Sequence, residues 1–256
     1  METKLLDHGY TKHIESWGSD EAIIEAARMS TSKGFLGWGP KPCPHCSAGE
    51  LVWGRGCNKC ENTGRVLGDE KLLRYLYEHR HATPFEMAGM TIEIQAPIFV
   101  FREWHRHRTQ SYNEMSGRYV ELPELSYVPS RERLEHGFQA TKNKQSSEYQ
   151  PLTDEMYLIL KHEFEDNYRD SWARYQRLLK AGISRELACR VLPTTQYSRM
   201  RASANLRNWL AFLTLRMDTA AQWEIRQYAN AVGDFIAQTF PRTWELFAEN
   251  GQNHRS

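Results

Sequence analysis

The sequence lacks a charge surplus of either sign. Its 33 Lys and Arg residues stand against 32 Asp and Glu, a formal net charge of +1. No whole-molecule field therefore draws it to nucleic acid or to an anionic membrane, and any anion binding must be local. It also lacks long apolar runs. No stretch approaches the roughly 18 apolar residues of a membrane span, and the opening METKLLDHGYTKHIESWGSDE contains no apolar signal core. A cytoplasmic location is expected. No internal repeat is visible. Cysteine is scarce, five residues in 256, yet four of the five crowd into Cys43, Cys46, Cys57 and Cys60. In a cytoplasmic chain that clustering reads as metal ligation before disulfides. Aromatic residues, in contrast, are plentiful: eight Trp and twelve Tyr in a chain that is 40% hydrophobic. That composition supports a real core and suits subunit interfaces.

Along the chain, SDEAIIEAARMS (19–30) predicts a short helix with Ser19 as N-cap. The Gly- and Pro-rich TSKGFLGWGPKP that follows marks a loop and the edge of an inserted element spanning 40–68. DEKLLRYLYEHR places Leu72, Leu73, Leu76 and Tyr77 at helical spacing and delivers His81. Met90, Ile92 and Ile94 alternate with polar residues as in a half-buried strand, and Pro97 suits the start of a helix carrying Ile98, Phe99 and Phe101. The polar stretch 122–150 reads as a long loop with short helical pieces. From Met156 to Leu179 apolar residues recur every three or four positions up to Gly182, a helix closed by a glycine cap. Further helices are expected at 184–191, 203–216 and 220–238. The architecture this predicts is α+β, with a sheet in the N-terminal half and a helical C-terminal half.

Within the insert, CPHC and CNKC form two C-x-x-C knuckles whose four thiolates can converge tetrahedrally on one Zn²⁺. Gly54, Gly56 and Gly64 supply tight turns. A zinc ribbon follows, holding a surface excursion too small for its own core. The alternative is a nucleic-acid-binding ribbon. Against it, Lys41, Arg55, Lys59 and Arg65 are cancelled by Glu50, Glu61, Asp69 and Glu70, and a neutral ribbon tracks phosphates poorly. A catalytic metal is disfavoured, because four thiolates leave no open coordination position.

The densest cationic segment is R-E-W-H-R-H-R-T-Q-S-Y-N-E-M-S-G-R-Y, from Arg102 to Tyr119. Arginine suits bidentate, charge-assisted bonds to phosphate. Arg106-His107-Arg108, followed by seven residues and Ser116, resembles the signature of the flavin-dependent thymidylate synthases. The likeness continues in HATPFE (81–86), APIFVFREW before the signature, ELACRVLP, Asn205-Leu206-Arg207, Leu215-Arg216 and AQWEIRQYA. It covers essentially the whole chain, 1–256, apart from the cysteine insert.

The resemblance implies a flavin-dependent thymidylate synthase-like fold, a central sheet with flanking helices, and methylation of dUMP to dTMP. It further implies methylenetetrahydrofolate as carbon donor, NADPH as reductant, FAD as redox cofactor, and a homotetramer with active sites shared between subunits. By the same likeness Thr83, Arg106, His107, Arg108, Glu114, Asn205 and Arg207 contact FAD. Glu103, Trp104, Arg106, Glu114, Met115, Ser116, Gly117 and Arg118 line the dUMP site. Arg216 stabilises the N3-deprotonated uracil, and His81 stands beside the flavin. An always-protonated guanidinium is suited to that anion, whose extra electron density makes C5 nucleophilic. Cys189 is read as a packing residue; the family has a dUMP-contacting arginine there, which Arg185 or Arg190 could replace. Met87, Ala211 and Ala220 also depart from the family pattern. The other function classes weighed are the ribbon-borne nucleic-acid binder and an inactive relative that still binds flavin or nucleotide.

Overall fold

The structure, a computed structural model, describes the chain outside residues 48–56, 58, 61, 142–146 and 254–256. The knuckle glycines Gly54 and Gly56 and the ribbon charges Glu50, Arg55 and Glu61 lie outside the described residues. In chain order the elements are β1 (Glu2–Leu5), β2 (Gly9–Trp17), α1 (Asp20–Arg28), β3 (Lys41–Pro42), α2 (Pro44–Ser47), β4 (Arg65–Val66) and α3 (Glu70–Glu78). There follow β5 (Gly89–Pro97), α4 (Ile98–Trp104), β6 (Ser111–Glu114), α5 (Arg131–Glu135), β7 (Phe138–Gln139), β8 (Ser147–Glu148) and α6 (Asp154–Lys180). The last are α7 (Arg185–Ala188), β9 (Tyr197–Asn205), α8 (Leu206–Arg216), α9 (Trp223–Thr239) and α10 (Pro241–Asn253). No described helix is long and apolar enough to cross a membrane.

The chain divides into two compact units. The first comprises Met1–Glu15, Thr91–Ala204 and Phe212–Val232. It is built on a five-stranded sheet of order β1-β2-β5-β9-β6, in which β1 pairs antiparallel with β2 and β6 with β9. Ile92 and Ile94 on β5 and Met200 and Ala202 on β9 are buried, while Glu93, Arg199 and Arg201 between them are not. That period-two alternation gives the sheet one apolar face. Trp104 and Phe212 stack at 4.6 Å between ring centroids, with Tyr228 edge-on to Trp104 at 6.5 Å. A Cβ on Gly9 would lie 2.1 Å from the Tyr228 hydroxyl, which donates to the Gln95 carbonyl at 2.9 Å. Only glycine fits there. The C-terminal half is helical as expected apart from one strand: β9 lies between β5 and β6 in the sheet, and residues 203–205, expected to begin a helix, are strand.

The second unit comprises Ser16–Met90, Asn205–Ala211 and Gly233–Ser256. Ser19 caps α1 as expected, its hydroxyl accepting from the Ala22 amide at 3.2 Å. Buried Asp20 accepts from the Arg242 and Thr243 amides and the Thr243 hydroxyl, satisfying the first turn of α10. Fully buried Asp69 fixes the root of the insert, accepting from Arg28 and from the Leu36 and Gly37 amides.

Candidate functional site

Helix α4 forms because Pro97 presets its entry and Val100, Phe101 and Trp104 recur on one buried face. It ends in a tight turn: His105, Arg106 and His107 donate their amides back to Phe101, Glu103 and Trp104 at 2.8, 3.4 and 3.0 Å. That turn leaves Arg106 and Arg108 exposed and His107 half-buried. Neither exposed arginine has an ion pair among the described residues. Tyr112 staples the turn from β6, donating to the His107 carbonyl at 2.6 Å, and burial pushes its phenol up to about 12. The signature therefore runs from helix end to edge strand, with Asn113 opposite Arg201 and Glu114 opposite Met200 in register.

Arg216, at the end of α8, is the centre of the cluster. Its Nε donates to His107 Nε2 at 2.8 Å, Nη1 to Glu103 Oε2 at 2.9 Å and Nη2 to the Glu103 carbonyl at 3.0 Å. The Arg216 side chain is 15% exposed. Because His107 Nε2 accepts, its proton resides on Nδ1. Burial, and then the Arg216 charge, hold the imidazole down to about 4, so it is neutral at pH 7. The ring rests edge-on against Phe212 at 4.9 Å. Engagement of Nε and one N–H on each terminal nitrogen leaves one N–H on Nη1 and one on Nη2 for another acceptor.

Beyond β6 the chain folds into a turn on Ser116. Its hydroxyl accepts from the Arg118 amide at 3.2 Å and its carbonyl from Tyr119 and Val120. Arg118 pairs with Glu186 on α7 at 3.2 Å. Cys189 Sγ donates to the Glu186 carbonyl and lies 3.5 Å from where a Gly117 Cβ would stand. The structure thus brings Cys189 directly against the Ser116–Arg118 turn. Arg185 and Arg190 are exposed and unpaired among the described residues.

In the second unit, His81 follows α3 through Arg80, whose φ of +56° is a left-handed conformation costly for a non-glycine residue. The His81 ring is exposed, edge-on to Tyr75 at 5.5 Å. Thr83 opens the 3-10 turn Thr83–Glu86 and is exposed. Asn205 Oδ1 accepts from the Asn208 amide at 3.0 Å, and Arg207 pairs with Glu86, tying that turn to the start of α8. Arg199 and Arg201 were not singled out from the sequence. Arg201 pairs with Glu93 at 3.3 Å, which in turn accepts from Tyr10 at 2.9 Å. The signal available was the alternating S-R-M-R within 198–201.

In the insert, the four thiols of Cys43, Cys46, Cys57 and Cys60 lie within 4.8 Å of one another. Sγ separations are 3.8 Å for Cys43–Cys57 and 3.5 Å for Cys46–Cys60. A tetrahedral Zn–S distance of about 2.3 Å sets sulfurs about 3.8 Å apart, so the donor set fits zinc. Backbone amides of Lys59 and Cys60 hold the Cys57 thiol down to about 6, making it a thiolate near neutral pH. Cys46 is pushed up to about 12 by sharing its proton with Cys60. The strand pair β3–β4 and the Cys43 amide, which donates to the Gly64 carbonyl at 2.8 Å, close the base.

The family model described as thymidylate synthase complementing protein matches residues 12–242. A flavin-dependent thymidylate synthase of Thermus thermophilus is 37% identical over 246 residues, covering 96% of this chain and 78% of that protein. That of Dictyostelium discoideum is 38% identical over 250 residues, covering 97% and 74%. The crystal structure of a UMP/dUMP methylase PolB from Streptomyces cacaoi, bound with 5-Br UMP, superposes with a TM-score of 0.75 at 30% identity, covering 97% of each chain. Fold and matches together define a thymidylate-synthase methyltransferase of α+β architecture. The chain belongs to the flavin-dependent thymidylate synthase family.

Proposed function

We propose that this enzyme methylates dUMP to dTMP, with 5,10-methylenetetrahydrofolate as carbon donor and NADPH as reductant. The observation that carries this reading is the Arg216–Glu103–His107 cluster at the end of α4. In it Arg216 is held by an anion and a neutral imidazole, and it keeps one N–H free on each terminal nitrogen. Those donors receive the N3-deprotonated uracil. The negative charge delocalised through the ring makes C5 nucleophilic, and a guanidinium cannot lose its own proton to the base it stabilises. Glu103 and His107 keep the guanidinium oriented, so reorganisation at the moment of reaction is small.

The exposed, unpaired Arg106 and Arg108 fit the diphosphate of FAD, with His107, Glu114, Thr83, Asn205 and Arg207 as its other contacts and His81 beside the ring. When bound, FAD supplies hydride transfer from NADPH. Met115, Ser116, Gly117 and Arg118 complete the nucleotide site in front of Trp104, whose ring is fully buried and donates to Gln110, and Arg185 or Arg190 supplies the cation that Cys189 does not. The turn on Ser116, in which the hydroxyl accepts from the Arg118 amide, is read as the phosphate end of the site, with the Arg118 guanidinium exchanging its exposed Glu186 partner for the phosphate. Residues 1–256 act as one catalytic domain and 40–68 as a structural zinc insert. The active assembly is a homotetramer with sites shared between subunits.

The test is turnover by the purified protein. It should be yellow, bleach with NADPH, and release tritium from C5-labelled dUMP when the folate is present. UMP runs beside dUMP, because the Streptomyces relative is called a methylase of both. Arg216→Ala that folds and retains flavin yet still turns over at the wild-type rate would refute the assignment.

A further inference from the structure

Away from the Arg216 cluster, the first unit contains a cavity of about 480 Å³ that shares no residue with the proposed catalytic set. Its walls are the rings of Phe99 on α4 and Phe138 on β7, with Leu160 and Phe164 on α6. Arg133 and Glu224 line it too. Arg133 Nε and the Tyr127 hydroxyl both donate to the same oxygen, Glu224 Oε1, at 2.6 and 3.2 Å. Glu224 is 4% exposed. Among the described residues its Oε2 accepts from no donor, and neither terminal nitrogen of Arg133 has an acceptor.

A cavity of this size with aromatic walls and few convergent polar groups has the form of a small-molecule site. Arg133 and Glu224 cancel each other's charge, so a charged ligand would leave one of them mismatched. They offer an N–H donor and a carboxylate acceptor side by side. A ligand must answer with an acceptor and a donor on one edge, and a flat ring fills the space between the aromatic walls. We propose that this cavity binds a neutral, planar heteroaromatic molecule carrying a lactam or carboxamide edge. Its C=O accepts from Arg133 and its N–H donates to Glu224 Oε2. Binding here leaves the proposed nucleotide site untouched, so the cavity is a second, separate site on the enzyme.

The probe is 2-quinolinone, a bicyclic lactam, titrated by calorimetry into the full-length protein. 2-Methoxyquinoline, which keeps the bicyclic ring but has neither the N–H donor nor the carbonyl, is the control. The lactam should bind at least tenfold more tightly than the ether. Leu160→Trp, which adds bulk from a half-buried position on α6, should abolish binding with unchanged thermal unfolding. Arg133→Lys retains a cation beside Glu224, avoids stranding a buried carboxylate, and should weaken binding about tenfold by removing the planar fork. Equal affinity for lactam and ether, absence of lactam binding, or full binding by Leu160→Trp would each overturn the proposal. So would a fall in oligomeric state of Leu160→Trp in sedimentation, which would make the cavity a contact between copies of this chain.

Discussion

The neutral His107 is the most exposed point of the proposed mechanism, because it ties a signature residue to the proposed catalytic guanidinium. His107→Phe keeps a ring against Phe212 and removes the acceptor of Arg216 Nε–H at 2.8 Å. Stranding a half-buried charged donor costs about 1–3 kcal/mol, and 1.36 kcal/mol is tenfold in rate. Because Glu103 still holds the other two nitrogens, the lower half of that range applies, and C5 tritium release should fall about tenfold. His107→Gln can place its amide oxygen near the position of Nε2 and should recover to within about threefold, on the same hydrogen-bond arithmetic. Both variants are assayed at saturating FAD, because His107 is also a proposed flavin contact, and should keep the wild-type KM for dUMP to within a small factor. Release by His107→Phe at the wild-type rate would refute the reasoning. So would equal damage in both variants, since that would assign His107 to flavin contact alone.

The pH dependence follows from the same residue. Its folded pKa of about 4 lies below the usual 6.5, so between those values the unfolded chain holds the extra proton and stability falls as pH falls. The loss from pH 6.5 to 5 should be about 1–2 kcal/mol, from 1.36 kcal/mol per proton per pH unit discounted for partial solvent screening. Urea unfolding should show that slope in the wild type and a shallower one in His107→Gln, the remainder coming from groups such as His13, whose pKa burial also lowers. Metal analysis should return one zinc per chain; Cys46→Ser should lose it and lower the melting temperature, and full occupancy in that variant would exclude the four-thiolate site. Asp69→Ala should destabilise by about 3–5 kcal/mol, because Arg28 is left charged, largely buried and unpaired. Gly117→Ala should be tolerated, its methyl meeting Cys189 Sγ at 3.5 Å. Gly117→Val should raise the KM for dUMP, with partial rescue by Cys189→Ala; a neutral Gly117→Val would place the nucleotide elsewhere.

What the sequence disclosed depended on how each element is stabilised. Strand β5 was legible because Ile92 and Ile94 are large and alternate with polar neighbours. Helix α6 was legible because apolar residues recur up to Gly182, whose φ of +81° is the expected cap. Strand β9 was missed for the converse reason: its buried positions include Ser198, Ala202 and Ala204, too small to register as a hydrophobic alternation. Pairing with its neighbours in the sheet, rather than a run of large apolar side chains, makes it a strand. Strand β6 is hidden in the signature, where Ser111, Tyr112, Asn113 and Glu114 give no apolar period and backbone pairing alone makes the strand.

The site divided along the same line. The arginine-rich segment, its serine and the four cysteines are local in sequence, and their residue types and spacing were enough to single them out. The contacts between distant segments were not. His107 and Arg216 are 109 residues apart, and nothing in either segment states that one accepts a hydrogen bond from the other. That pairing changes what His107 can be. A histidine among arginines reads as one more cation for an anionic ligand, whereas a ring that accepts from a guanidinium at 2.8 Å must be neutral on that nitrogen. The cluster's charge is therefore smaller than its composition suggests, with Arg216 largely balanced by Glu103. Among the described residues the exposed, unpaired positive charge of this segment lies on Arg102, Arg106 and Arg108; under the proposed function Arg106 and Arg108 meet the FAD diphosphate, while the free N–H groups of Arg216 receive the uracil anion.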